Sequence, residues 1–215
     1  MSRDALFEVS HRVRAADRSR HYRHDGGVLW LTGLSASGKS TLAMLLEKAL
    51  LEHGYSCYVL DGDNVRLGLN ANLGFSPEDR TENIRRVGEV AALFADAGLI
   101  CIASFISPYD ADRAAARRAC KRAFHEVHVA ADLATCEARD PKGLYRKARA
   151  GQLAAFTGVS APYECPANPE CIIDTSRLTV EESHAQLLQY VLRAFPRVDA
   201  DELRRASALA RGVTA

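Results

Sequence analysis

Eight consecutive residues, Gly33, Leu34, Ser35, Ala36, Ser37, Gly38, Lys39 and Ser40, match the pattern G-x-x-x-x-G-K-[ST], and Thr41 follows directly. The chemistry open to these residue types at this spacing is phosphate binding. Such a loop turns its backbone N–H groups inward around an anion, and glycines at its ends take backbone angles closed to other residues. Lys39 would bridge the terminal phosphates and Ser40 would ligate Mg²⁺, while the following helix aims its positive end at the anion. A random chain of this length meets the pattern less than about once in a hundred, so a purely structural glycine turn explains it poorly.

A second cluster, Asp61-Gly62-Asp63-Asn64-Val65-Arg66, follows an apolar run. Two acids two positions apart suit one role on Mg²⁺-bound water and one on an acceptor hydroxyl; a solvated Asx turn is the plain alternative. Gly62 permits close approach of a ligand to the backbone. Downstream lie Phe75, Arg80, Asn83, Arg85 and Arg86. An aromatic ring with arginines beside a phosphate site suits an aromatic, anionic acceptor, although Arg85 and Arg86 read better as a charged outer helix face. Ser107-Pro108 reads as an N-cap with Pro at the first helical position, opening a helix that contains Asp112 and Arg113. Ser107 follows the third expected strand and should face the active site. A GTPase is excluded, because no Asn/Thr-Lys-x-Asp occurs and Asp140-Pro141-Lys142-Gly143, which fits D-x-x-G, comes too late in the chain. A motor ATPase or transporter module needs more chain. A small-molecule kinase remains.

These groups need a scaffold that brings strand ends together. Short apolar runs at 28–32, 58–61, 99–104, 126–129 and 171–174 predict five strands of the buried parallel kind. Amphipathic stretches between them predict helices at 40–53, from Ser76 to Gly98, and from Thr179 to about Phe195, the last two opened by capping signals. Alternation of this kind implies right-handed crossovers and a sheet covered on both faces, with ligands beyond the carboxyl ends of the strands. The expected fold is α/β, a P-loop NTPase of nucleotide-kinase type with a five-stranded parallel sheet and helices on both faces.

Composition agrees with one globular unit: 215 residues, 47% hydrophobic and 26% charged. Lys plus Arg is 28 against 27 Asp plus Glu. A balance so near neutrality argues against a nucleic-acid or membrane-surface binder. No apolar run approaches the ~20 residues of a spanning helix, and no secretory signal is expected. Six cysteines at scattered spacings, without C-x-x-C or zinc-ligand pairing with histidine, read as reduced thiols of a cytoplasmic protein. The division expected is a basic arm at 1–25, the P-loop domain at 26–198 and a tail at 199–215 that looks helical. For the arm, a solvated helix or loose lead-in is the plain reading and an anion-attracting role the sharper one.

The segments Gly33 to Thr41, Asp61 to Arg66, Leu73 to Ser76, Glu82 to Val90, Phe94 to Gly98 and Ile106 to Tyr109 closely resemble the adenylylsulfate (APS) kinase family. So do Arg139 to Tyr145, Phe156 to Gly158 and Pro162 to Glu164. The resemblance runs from about Gly26 to Phe195. It implies transfer of the γ-phosphoryl of MgATP to the 3′-hydroxyl of adenosine 5′-phosphosulfate, giving 3′-phosphoadenylylsulfate and ADP in sulfate assimilation. It also implies an ATP site of Gly33 to Thr41, with Mg²⁺ on Ser40 and, through water, on Asp61. Phe75 and Phe156 would sandwich the APS adenine, Arg66, Arg80 and Asn83 would hold its phosphosulfate and ribose, and Ile106 and Ser107 would line the pocket. Residues 142–156 would form the lid, from which Lys142 and Leu144 would contact APS. The catalytic set is then Lys39, Asp61 and Asp63, with Ser107 at a position the family associates with a phosphoserine intermediate. Direct in-line transfer is the preferred reading, because no activating base precedes Ser107; Asp61 and Asp63 share the water and hydroxyl roles in either order. A homodimer is implied, and association with an ATP sulfurylase stays open. Two departures stand out: Leu67, where the family often has His, and Ala36, where Gly is common. A different nucleotide kinase and a silent nucleotide-binding domain are the rival readings; the second conflicts with the presence of Lys39, Asp61 and Asp63.

Overall fold

In the computed structural model, which describes Phe7 and residues 9–198, thirteen elements follow one another along the chain. They are α1 (Ala15–Tyr22), β1 (Gly27–Thr32), α2 (Lys39–Glu52), β2 (Cys57–Asp61), α3 (Gly62–Arg66), α4 (Pro77–Asp96) and β3 (Ile100–Ser104). There follow α5 (Asp110–Ala119), β4 (Ala123–Ala130), α6 (Leu133–Arg139), α7 (Leu144–Arg149), β5 (Cys171–Asp174) and α8 (Val180–Ala194). The five strands form one parallel sheet in the order β2-β3-β1-β4-β5. β1 lies at its centre and all six of its residues are buried, as a strand covered on both faces must be.

Side-chain alternation divides the core into two layers. Leu29 and Leu31 of β1 join Ile100 and Ile102 of β3 against Leu42 and Leu46 of α2 and Leu187 and Val191 of α8. Val28 and Trp30 face the other way, with Cys101, Ala103 and Phe124, against Ile84, Val87 and Ala91 of α4 and Ala116 of α5. The capping signals read from the sequence are real: Ser76 accepts from the Asp79 N–H, with Pro77 opening α4, and Thr179 and Glu182 form a reciprocal capping box at α8.

Strand edges move outward where a partner extends the ladder. β4 begins at Ala123 rather than 126, because Gly27 at the start of β1 pairs with Ala123. α3, α6 and α7 were not expected; each is under eight residues and carries too little periodicity to be read. Ser107 is not an N-cap. α5 starts three residues later, its N-cap Tyr109 has no side-chain cap bond, and the Asp110 N–H is met instead by Glu164 Oε2 at 2.6 Å. A distant carboxylate took the role that local spacing assigned to a neighbouring hydroxyl. In the arm, α1 is a helix without a buried residue, as the plain reading had it. All six cysteines are free. The expected helical tail from Asp199 lies outside the described residues.

Candidate active site

The carboxyl ends of β1, β2 and β3 converge on the loop before α2. Gly33 has φ +155°, and a Cβ there would stand 2.4 Å from the Val129 carbonyl oxygen, so no side chain fits. Gly38, with φ +100°, is the N-cap of α2. Between them Ala36 takes φ +61°, a left-handed conformation costly for any residue with a Cβ; this is why glycine would be at ease there. Lys39 is buried, and its Nζ donates to the Leu34 carbonyl at 2.6 Å and to Ser37 Oγ at 3.4 Å. Burial pulls its pKa down to about 8, against partial support from Cys136 and Asp61. Leu34, Ser35 and Ala36 are half-buried, Ser37 is buried, and Ser40 and Thr41 reach solvent on the first turn of α2.

Ser40 Oγ donates to Asp61 Oδ2 at 2.7 Å. The other Asp61 oxygen accepts the Asp63 N–H at 3.1 Å, which caps α3. The two acids therefore divide by environment: Asp61 is buried against the P-loop, while the Asp63 carboxylate is exposed and ion-paired with Lys142. Ser40 and Asp61 offer hard oxygen donors beside a phosphate loop. Among the described residues no group of three or more His, Cys, Asp or Glu could hold a metal. The donor set fits Mg²⁺, which keeps waters and takes phosphate oxygens for its remaining ligands.

Beyond α3 lies an aromatic and basic cluster. The Arg66 guanidinium sits 4.4 Å from the centre of the Phe75 ring and donates to the Gly74 carbonyl at 2.8 Å. Arg80 donates through Nε to the Phe75 carbonyl (3.0 Å), through Nη1 to Thr157 Oγ1 (3.1 Å) and through Nη2 to the Ala155 carbonyl (3.0 Å). One side chain thus ties the Phe75 segment to the segment that carries Phe156. Asn83 is buried, its Oδ1 accepting from Asn70 Nδ2 at 3.0 Å. Phe75 is 62% exposed, with the Arg66 guanidinium over its ring. Lys142 and Leu144 lie at the start of the lid segment, Leu144 as the first residue of α7. An open cleft of about 530 Å³ is lined by Leu34 and by residues 158–163.

Ser107 departs from expectation in orientation as well. It is 2% exposed with φ +40°. Its Oγ accepts from the Trp30 indole N–H at 3.1 Å and lies 3.4 Å from the Phe105 carbonyl, so the hydroxyl is turned to the interior rather than to the site. Its carbonyl accepts from Arg113 Nη1 at 2.8 Å; Arg113, fully buried, is paired with Glu126 at 2.6 Å. Ile106 is half-buried beside it, its carbonyl accepting from Thr32 Oγ1 at 2.7 Å.

Several residues that local spacing did not single out touch the loop. Arg139 reaches the Ala36 carbonyl at 3.4 Å and Thr175 Oγ1 at 3.1 Å, and Thr175 Oγ1 also donates to the Ser37 carbonyl at 2.8 Å. Tyr145 reaches the Ser35 carbonyl at 3.0 Å. Arg139 and Tyr145 bound a segment that carries the family resemblance, but nothing local shows that they reach the loop, and Thr175 lies outside every such segment; each arrives from far along the chain.

Comparison with known proteins agrees with this geometry. The family model described as adenylylsulphate kinase matches residues 25–174. The adenylyl-sulfate kinase of Geotalea uraniireducens (strain Rf4) is 55% identical over 197 residues, covering 90% of this chain and 94% of the relative. Among solved structures, the Mycobacterium tuberculosis APS kinase in complex with AMPPNP and APS superposes with a TM-score of 0.75 at 48% identity. It covers 78% of this chain and 98% of that one. The hexameric APS kinase from Thiobacillus denitrificans gives 0.62 at 33% identity, over 83% of this chain and 32% of that longer one.

Proposed function

The chain belongs to the adenylylsulphate kinase family, and we propose that it moves the γ-phosphoryl of MgATP to the 3′-hydroxyl of APS, yielding 3′-phosphoadenylylsulfate and ADP. The observation that carries this reading is the continuous line Ser40–Asp61–Asp63–Lys142, which joins the nucleotide loop to residue 142, while α3, the element that carries Asp63, also carries Arg66 of the aromatic and basic cluster. Phosphoryl transfer demands positioning and charge neutralisation more than covalent help, and this line places both within one site.

Residues 33–41 bind the ATP phosphates, with Lys39 on the transferring group. Ser40, and Asp61 through water, hold Mg²⁺, which when bound neutralises charge on the phosphates. Asp63, exposed and on the acceptor side, orients the 3′-hydroxyl or takes its proton, with Asp61 on the adjacent water. Phe75 and Phe156 stack on the acceptor base; Arg66, Arg80 and Asn83 hold its phosphosulfate and ribose, with Ile106 lining the pocket and Lys142 and Leu144 closing over it. Direct in-line transfer fits the burial of Ser107 and its bond to Trp30: a nucleophile needs an open approach and a base, and its hydroxyl is engaged away from the site.

The same reading takes residues 26–198 as the kinase domain, flanked by the arm and tail, and a cytoplasmic location in keeping with six free thiols. No described helix is long and apolar enough to cross a membrane. A homodimer belongs to this proposal on the strength of the sequence resemblance.

The test is an ADP-release assay with MgATP and either APS or AMP. Turnover with APS and none with AMP at comparable concentration is expected. Equal turnover of both acceptors would instead mark a general nucleotide kinase.

A further inference from the structure

The lid and the nucleotide loop meet at one buried side chain that the functional reading leaves unused. Tyr145, on α7, is 2% exposed. Its hydroxyl donates to the Ser35 carbonyl of the P-loop at 3.0 Å. Its ring meets the Phe156 ring edge-on, centroids 5.0 Å apart at 81°. Its N–H is held by Asp140 Oδ1 at 3.1 Å, and Asp140 directly follows Arg139, which reaches the next P-loop carbonyl, that of Ala36. The root of the lid is therefore attached to two successive P-loop carbonyls, and Phe156 leans on that root.

In a trans peptide the carbonyl and the following N–H point in opposite directions, and the chain holds no cis bond among the described residues. A grip on the Ser35 carbonyl therefore sets the direction of the Ala36 N–H, in the part of the loop that must face phosphate. When that N–H binds an anion, the peptide group polarises and its carbonyl becomes a stronger acceptor. Phosphate on one side of the peptide thus tightens Tyr145 on the other, and Tyr145 steadies Phe156.

We propose that Tyr145 is a positioning residue that couples the two substrate sites: nucleotide in the P-loop fixes Tyr145, and Tyr145 fixes the Phe156 wall of the acceptor pocket. The assignment of Phe156 to the acceptor rests on the function proposed above. The coupling is reciprocal, because each ligand must favour the other by the same factor.

The experiment measures APS binding by calorimetry with and without saturating MgADP, which cannot react, in the wild type and in Tyr145→Phe. The variant keeps the ring and loses only the hydroxyl. Wild type should bind APS about fivefold or more tightly with MgADP present, the lower end of usual coupling. Tyr145→Phe should bind APS alone within about twofold of wild type while the MgADP enhancement disappears. Hydrogen–deuterium exchange supplies an arm that needs no acceptor: MgADP should slow exchange across residues 144–156 in the wild type and not in Tyr145→Phe. An enhancement that survives in Tyr145→Phe, or is absent from the wild type, overturns the proposal, as does equal lid protection in both proteins. A wild type whose lid responds to MgADP but which fails to bind APS overturns the acceptor assignment, and with it the claim that Tyr145 serves the acceptor pocket.

Discussion

Lys39 offers a test in which the sign and size follow from its surroundings. Its ammonium is buried and bonded to two neutral oxygens, and desolvation brings its pKa down to about 8. Phosphate oxygens arriving beside it favour the charged form, so the bound state holds the proton well above that value. Affinity then follows the protonated fraction of the free enzyme. That fraction is roughly 0.9 at pH 7 and roughly 0.1 at pH 9, so MgADP affinity should fall about tenfold over this range, with about half a proton taken up per nucleotide at pH 8. The nucleotide phosphates are already ionised there and push affinity the other way, if at all. Calorimetry in buffers of different ionisation enthalpy reads both quantities. Lys39→Arg, charged throughout, should lose the proton uptake even if it binds more weakly. A flat affinity from pH 7 to 9 with no proton uptake would show that the free loop keeps Lys39 charged, and would refute the argument from burial.

Three further outcomes are expected. Phe75→Ala and Phe156→Ala should each weaken APS binding by ~1–3 kcal/mol, the scale of base–aromatic stacking, with ATP binding little changed; loss of ATP affinity instead would mean the two nucleotide sites are exchanged. Ser107→Ala should keep substantial turnover while losing about 1–3 kcal/mol of stability, since the buried Trp30 N–H is left without its acceptor, whereas Asp63→Asn should bind both nucleotides and turn over slowly; a folded but dead Ser107→Ala, with phosphoserine trapped at a competent rate in the wild type, would restore the covalent route. His24 is buried, accepts the Ser56 N–H through Nε2 at 3.0 Å, and has its pKa lowered mainly by desolvation. The unfolded chain therefore binds more protons below about pH 6.5, and stability should fall as pH drops below that point; denaturation at pH 7.5 and 5.5 should show a smaller loss for His24→Gln, and an equal loss would place the acid sensitivity elsewhere.

Much of this fold was legible because its signals are local. Five apolar runs bounded by Gly, Asp and Pro became five strands, and the Ser76 and Thr179 caps opened the helices they announced. A P-loop declares itself in eight residues because its backbone geometry and its charge must be built from neighbours. The phosphate loop, the paired acids after β2 and the parallel α/β class followed from the sequence for that reason, and the family resemblance extended the reading to the acceptor pocket.

What tertiary structure alone decided involves partners distant in the chain. Ser107-Pro108 had the local form of a cap, yet Trp30, 77 residues away, takes the hydroxyl, and Glu164 caps α5. Asp61 and Asp63 look alike in sequence; contact with Ser40 on one and Lys142 on the other separates them. Arg80 bridges to Ala155 across 75 positions, and Tyr145 to Ser35 across 110. Local sequence specifies which backbone shapes and charges are available. Which of those charges are buried, and against what, depends on the sheet order β2-β3-β1-β4-β5, which brings strand ends and lid together and is set by packing of both faces at once.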